Sequence, residues 1–205
     1  DKPVWFEAHN VEIDLKEKIL SGSDTAQAML AETRAVEHRC WKEAALIYAC
    51  AQTDLDRLTR IYGNTRAVQM EVPNGVSVTE IPFTPLSGRK AMKAKLGVDH
   101  QSIAVFIGSW HGPNLEAIEQ IIGFARRLPK VTFLVLGSSG MAFSEHDLPV
   151  NLGMTGVVED DMKALMLSMA DVALNPMTSG SGTNLKMLEY FAAGVPVIST
   201  PFGMR

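Results

Sequence analysis

The chain has 205 residues, 46% of them hydrophobic and 20% charged, with a formal net charge of −4. That is ordinary globular composition, enough for one large or two small domains. It carries no basic excess to hold nucleic acid, no acidic tail to suggest disorder, and no apolar run near the roughly 20 residues that span a bilayer.

Val4–Ala8 reads as a short strand running into the polar cluster His9–Glu12, and the end of a strand is where α/β proteins place ligand contacts. His9 is a candidate contact there; a histidine tied up in loop hydrogen bonds is the equal alternative. Residues 13–44 read as helical with a break at Ser21–Asp24, Asp24 being the expected N-cap. Residues 45–50 read as a strand. Thr53 and Asp54 are expected to cap a helix over residues 55–62, which Gly63 and Asn64 end. Residues 67–72 form the next expected strand, and Pro73–Val76 a tight turn. The stretch 76–100, marked by Pro82, Pro85 and Gly88, reads as a linker with one helix over residues 89–96 and as the domain boundary. Cys40 and Cys50 make neither a disulfide framework nor a metal pattern; both are expected reduced and buried, in a cytoplasmic setting.

From there strands and helices alternate. Strands are expected at residues 103–108, 131–137, 151–155, 172–175 and 195–200, and helices at 113–128, 160–170 and from about Asn184 to Ala193. This rhythm predicts an α/β fold of parallel sheets with helices on both faces. Ligands of such sheets bind beyond the carboxyl ends of the strands, here at the loops 109–114, 138–141, 156–160 and 177–184. The last loop holds Gly180, Ser181, Gly182 and Thr183, so backbone can approach a ligand closely, and the helix behind it offers an N-terminus suited to phosphate. On that helix Leu185, Leu188 and Ala192 are expected to form the apolar stripe, with Lys186 and Glu189 beside it. By spacing alone those two read equally well as a surface ion pair.

Other motifs are missing. Gly108–Gly112 is neither a dinucleotide fingerprint nor a P-loop, Ser179–Thr183 is one residue too tight for a nucleophile elbow, and no residues show metal-ligand spacing. Ser109, His111 and Asn114 stand as candidates in the first loop, against the plainer reading of ordinary loop polar residues.

Pro73–Val76, Val105–Gly108, Val135–Gly137, Gly156–Asp160, Ala170–Val172 and the run Gly182–Thr200, in this order and spacing, resemble the retaining glycosyltransferases of the GT-B fold, family-4 (glycosyl transferases group 1) type. The resemblance implies Rossmann-like parallel sheets with helices on both faces, GT-B type and incomplete at both ends. It also implies two domains. Residues 1–75 would be the second half of an acceptor-side domain, and 76–205 a truncated nucleotide-sugar (donor) domain. Glu189 matches the glutamate that binds the donor ribose hydroxyls, a task a carboxylate suits. Gly182, Thr183 and Asn184 match the helix start that contacts diphosphate or donor sugar. The Val157 and Val158 backbone matches the base-reading segment, and His9 a histidine that contacts the donor sugar. Ser109, His111, Gly180 and Ser181 complete the candidate donor set. Two departures stand out. Ser181 replaces the family's first glutamate, and the common arginine and lysine after the first donor-domain strand give way to Ser109–Asn114. Lys186 would then supply the phosphate charge.

The expected function is therefore metal-independent, retaining hexosyl transfer from a nucleotide-diphosphate sugar, with no further cofactor, to a glycan, lipid or small-molecule acceptor. A lipid-linked acceptor implies peripheral contact with the inner membrane surface. Two rivals stay open: a non-catalytic or remnant nucleotide-binding module, and a same-fold nucleotide-sugar epimerase. A chain that begins at Asp1 and runs directly into a strand reads as a fragment or processed product, in which catalysis is not expected from the piece alone.

Overall fold

A computed structural model describes residues 2–20, 23–143, 147–180 and 183–204. They divide into two compact units. The first runs through Asn74 and takes in Thr183; the second comprises residues 75–180 and continues from Asn184.

In the first unit, β1 (Trp5–Ala8), β2 (Leu46–Ala49) and β3 (Val68–Glu71) form a parallel sheet in the order β1-β2-β3. Trp5 stands opposite Leu46, and Leu46 opposite Val68. Ala8, Ile47 and Ala49 turn inward onto a core with Trp41, Leu55, Leu58 and Tyr62. Trp41 comes from α2 (Asp24–Glu43) and the other three from α3 (Gln52–Tyr62), while α1 (Glu12–Ile19) adds Ile13 to the same core. The buried Glu37 ties the helices together. Its carboxylate accepts from the Glu12 and Ile13 amides (2.7 and 3.4 Å) at the start of α1 and from the Tyr62 hydroxyl (2.7 Å). Burial and this contact raise the Tyr62 pKa.

The second unit carries β4 (Ser102–Ile107), β5 (Val131–Leu136), β6 (Leu152–Met154), β7 (Val172–Asn175) and β8 (Val197–Ser199), all parallel, in the order β6-β5-β4-β7-β8. Strand order reverses at β4, so the loops after β4 and β7 leave in opposite directions and open a crevice between them. Alternate residues of β4 serve opposite faces, as the period of two in a strand requires. Ala104 and Phe106 pack with α5 (Gly112–Arg127), through Ala117, Ile118, Ile121 and Ala125. Ile103 and Val105 pack with α6 (Asp160–Met169) and α7 (Leu185–Ala192), through Leu167, Met187 and Tyr190. Both faces are buried, which is why β4 is an unbroken apolar run; each such side chain contributes roughly 1.5–3 kcal/mol.

The remaining helix, α4 (Leu86–Lys95), is held by Arg89. This residue is 4% exposed, and its guanidinium donates to the carbonyls of Thr84 (2.7 Å), Ala170 (3.3 Å), Ala193 (3.3 Å) and Gly194 (2.7 Å). Ala170 and Ala193 are the C-caps of α6 and α7. A buried cation thus meets the negative ends of two helices and satisfies carbonyls left without intrahelical partners.

Several expectations are corrected. The N-cap of α2 is Ser23, whose hydroxyl accepts from the Ala26 amide (3.1 Å), one residue before Asp24. α3 starts after Ala51 with no side-chain cap, because Thr53 and Asp54 already lie within its first turn. Residues 72–77 form no turn, the turn lying at residues 78–80, and α4 begins three residues earlier than expected. Cys40 and Cys50 are half-buried free thiols. On α7 the buried residues are Met187 and Tyr190, with the C-cap Ala193 beside them, not the Leu185 stripe; Leu185 is exposed. Apolar residues occupy nearly every position of this helix, so periodicity alone did not fix which side turns inward.

Candidate functional site at the strand-order switch

The crevice between β4 and β7 is built on close backbone approach. Gly137, just after β5, has φ +104°, and a Cβ there would lie 2.3 Å from the Gly108 carbonyl oxygen. That carbonyl accepts from the Ser139 amide (3.2 Å) and from the fully buried Ser139 hydroxyl (2.8 Å). Ser138 Oγ in turn accepts from the Trp110 amide (2.8 Å). The turns after β4 and β5 are therefore locked to each other.

Tyr190 fixes the other wall. The β4–β7 pairing register runs through Ala104–Val172 and Val105–Ala173. Beyond it the Tyr190 hydroxyl accepts from the Ile107 amide (2.8 Å) and donates to the Leu174 carbonyl (3.5 Å), filling the gap where the strands part. Burial raises the Tyr190 pKa, so the group stays a neutral phenol.

Lys186, in the first turn of α7, reaches into this frame. Its ammonium donates to Asn114 Oδ1 (2.7 Å), lies 4.3 Å from the centroid of the Phe106 ring and is 3.7 Å from Met177 Sδ. Asn114, itself buried in the first turn of α5, donates from Nδ2 to the Ser109 carbonyl (2.9 Å). An amide oxygen, a ring face and a thioether are all neutral partners. Burial accordingly pulls the Lys186 pKa down to about 8, with the Glu189 charge opposing it. The pairing of Lys186 with Glu189 that the spacing allowed is not formed. Glu189 Oε1 instead accepts from Lys163 Nζ on α6 (2.9 Å).

The other candidates fall as follows. Ser109 and His111 are exposed in the loop after β4, and His111 is the N-cap residue of α5 without a side-chain capping bond. Val158 is half-buried just ahead of α6. Gly180 has φ +123°, a conformation that favours glycine. Ser181 and Gly182 lie outside the described residues. Thr183 is half-buried, and Asn184 is the N-cap residue of α7, its Nδ2 donating to the Gly203 carbonyl (2.9 Å). His9 belongs to the first unit, exposed at the end of β1 with Nε2 3.5 Å from Glu7 Oε1. The structure thus brings Asn114 and Lys186 together, as it does Lys163 and Glu189. Tyr190, Phe106 and Lys163 were not legible as site residues; the i, i+3 spacing of Asp160 and Lys163 was the one available hint. Among the described residues no group of three histidine, cysteine or acidic side chains converges as a metal site would require.

Known proteins resemble this chain. Over 140 residues the chain is 26% identical to a phosphatidyl-myo-inositol mannosyltransferase of Mycolicibacterium smegmatis, covering 64% of this chain and 34% of that protein. Its Mycobacterium tuberculosis counterpart is 28% identical over 142 residues, with the same coverage of 64% and 34%. The chain spans about a third of the length of these curated relatives. Among solved structures, Anabaena HepE in complex with UDP-glucose superposes with a TM-score of 0.66 at 16% identity, over 97% of this chain and 53% of that one. Sucrose-phosphate synthase of Thermosynechococcus elongatus gives 0.70 at 19% identity, over 96% and 50%. These likenesses establish the Rossmann-like α/β fold of GT-B glycosyltransferases. Residues 101–205, half of the sequence and the whole of the crevice just described, match the profile of that family, and the chain belongs to the glycosyl transferases group 1.

Proposed function

We propose that the second unit is the donor-binding domain of a glycosyltransferase that takes a sugar from a nucleoside diphosphate and transfers it with retention of anomeric configuration. The observation that carries this reading is Lys186. Lys186 is half-buried, and its ammonium contacts neutral groups alone among the described residues; such a cation, at the switch point of a parallel sheet and beside a helix start, is an anion site waiting for charge. The diphosphate is the group that develops charge as the glycosidic bond breaks, and a preorganised cation there lowers the barrier. Lys186 takes the role that the arginine and lysine of the loop after β4 play in other branches. Glu189, one turn further on, anchors the ribose hydroxyls. The backbone of Val157 and Val158, ahead of α6, lies against the base. Thr183 and Asn184 meet the diphosphate or sugar, with Gly180, Ser181, Gly182, Ser109 and His111 bordering them.

The first unit is the second half of the acceptor-side domain, and its His9 orients the donor sugar. Relatives named as phosphatidyl-myo-inositol mannosyltransferases and a fold neighbour holding UDP-glucose favour a hexose donor and a glycan or lipid acceptor. A lipid acceptor would put the reaction at a bilayer surface; no helix among the described residues is long and apolar enough to cross one.

Titration of the chain with UDP and GDP tests the donor site. Saturating nucleotide is expected to raise the melting temperature, by about 3 kcal/mol of stabilisation at a hundredfold excess over Kd. A folded sample with no shift for either nucleotide would refute the site. Transfer of radiolabelled sugar by the protein in its native form, with the anomeric configuration of the product read by NMR, tests the reaction and its retention.

A further inference from the structure

Glu189 is not free to turn. Its Oε1 is held at 2.9 Å by Lys163 Nζ, which also contacts Asp160 Oδ1 at 3.1 Å. The Lys163 and Glu189 side chains are only 21% and 22% exposed, whereas Asp160 is 69% exposed. A partly desolvated ion pair of this kind adds little net stability, because the cost of removing two charges from water offsets their attraction. What it fixes is direction. A glutamate on an unbraced helix face samples several rotamers; one clamped through a single oxygen presents the other oxygen in one orientation. Lys163 sits on the helix that opens directly after Gly156–Glu159, its own amide donating to the Glu159 carbonyl (3.0 Å). The clamp therefore ties the loop ahead of α6 to the carboxylate on α7. A nucleoside places its base and its ribose side by side in the same way.

We propose that Lys163 is a positioning residue: it clamps Glu189 through Oε1 so that Oε2 faces the vicinal hydroxyls of a nucleoside ribose. This rests on the reading of Glu189 as the ribose anchor. The clamp acts on discrimination between ribose and sugars lacking the diol, not on the diphosphate, which lies with Lys186. Burial works against the Lys163 charge, but the Glu189 and Asp160 carboxylates outweigh it and hold its pKa above the ordinary lysine value, so the clamp persists at neutral pH.

The test is calorimetric titration of the full chain with UDP and GDP and with their 2′,3′-dideoxy analogues. In Lys163→Met, affinity for the ribonucleotide is expected to fall about tenfold, as when a supporting contact behind a ligand is removed, while affinity for the dideoxy analogue is unchanged. Lys163→Arg is expected to keep most of the preference. Should the methionine variant be unstable, Lys163→Gln, uncharged, shorter and still a donor, is expected to reduce the ribo-to-dideoxy ratio about threefold or more. Equal losses on both ligands, or no loss on either, would overturn the positioning role. Glu189→Gln separates this from the underlying reading. If that variant loses the preference and the Lys163 variants keep it, Lys163 is only a surface partner. If Glu189→Gln itself keeps the preference, or the wild-type chain binds neither nucleotide, the ribose anchor is wrong and the clamp falls with it.

Discussion

Lys186 on α7 donates to Asn114 Oδ1 on α5 across 2.7 Å, and the two residues are 72 positions apart in the chain. That bond joins the helix after β7 to the helix after β4, the two elements that diverge at the strand-order switch.

The Lys186 charge gives ligand binding a pH signature. Burial lowers its pKa to about 8 from an ordinary 10.5. A bound diphosphate favours the ammonium and raises that value again. Affinity for a nucleoside diphosphate is therefore expected to fall as pH rises through about 8. At pH 9 binding should take up about half a proton or more, measured by calorimetry in buffers of different ionisation enthalpy. Lys186→Gln should abolish the uptake. For stability the sign is opposite to that of a paired lysine. The folded state sheds this proton before the unfolded chain does, so the penalty is complete below pH 8 and is relieved between about pH 8 and 10.5.

Tyr190→Phe removes the bridge between diverging strands while leaving the ring in place. The Ile107 amide then has no acceptor, and burial keeps water from replacing it. Chemical denaturation is expected to show a loss of about 1–3 kcal/mol. A loss of only a few tenths would mean that the hydroxyl does not hold the strands.

Gly137→Ala forces a side chain into the left-handed region and places its Cβ 2.3 Å from a backbone carbonyl that cannot move aside cheaply. A destabilisation of about 3 kcal/mol is expected. Since Gly108 begins the loop after β4, nucleotide affinity should fall in the same variant. A variant with wild-type stability would show that the two turns are not locked.

Arg89→Met keeps the apolar stem but strips donors from four carbonyls, two of them helix C-caps. The Ala193 carbonyl keeps the Thr84 amide as a donor (3.1 Å), so the expected cost is about 3 kcal/mol, from the remaining acceptors that lose theirs. The urea midpoint of the chain measures it. No change in nucleotide specificity is expected, since Arg89 contacts the opposite ends of α6 and α7 from those that border the crevice.

Much of the fold was legible in the residues themselves. β4 and β5 are apolar runs flanked by loop residues, and α5 carries Ala117, Ile118, Ile121 and Ala125 at helical spacing, so element type followed from local pattern. The boundaries drifted where local signals compete, as at Ser23 against Asp24. The inward side of α7 was misread because its apolar residues surround the helix. The family was readable from short motifs in order, and Lys186 and Glu189 were picked out as the charged pair of α7. Their partners were not readable. Asn114, 72 residues away from Lys186, was a candidate by its loop position but not as the lysine's partner, and Lys163, 26 residues away from Glu189, is an ordinary polar residue in the sequence. The alternation of apolar and polar residues, a local property, determined that this chain folds as parallel sheets with loops gathered at their carboxyl ends. Which side chains meet there was decided by the reversal of strand order at β4, because contacts across a switch point depend on how distant strands are laid side by side, and no local preference encodes that.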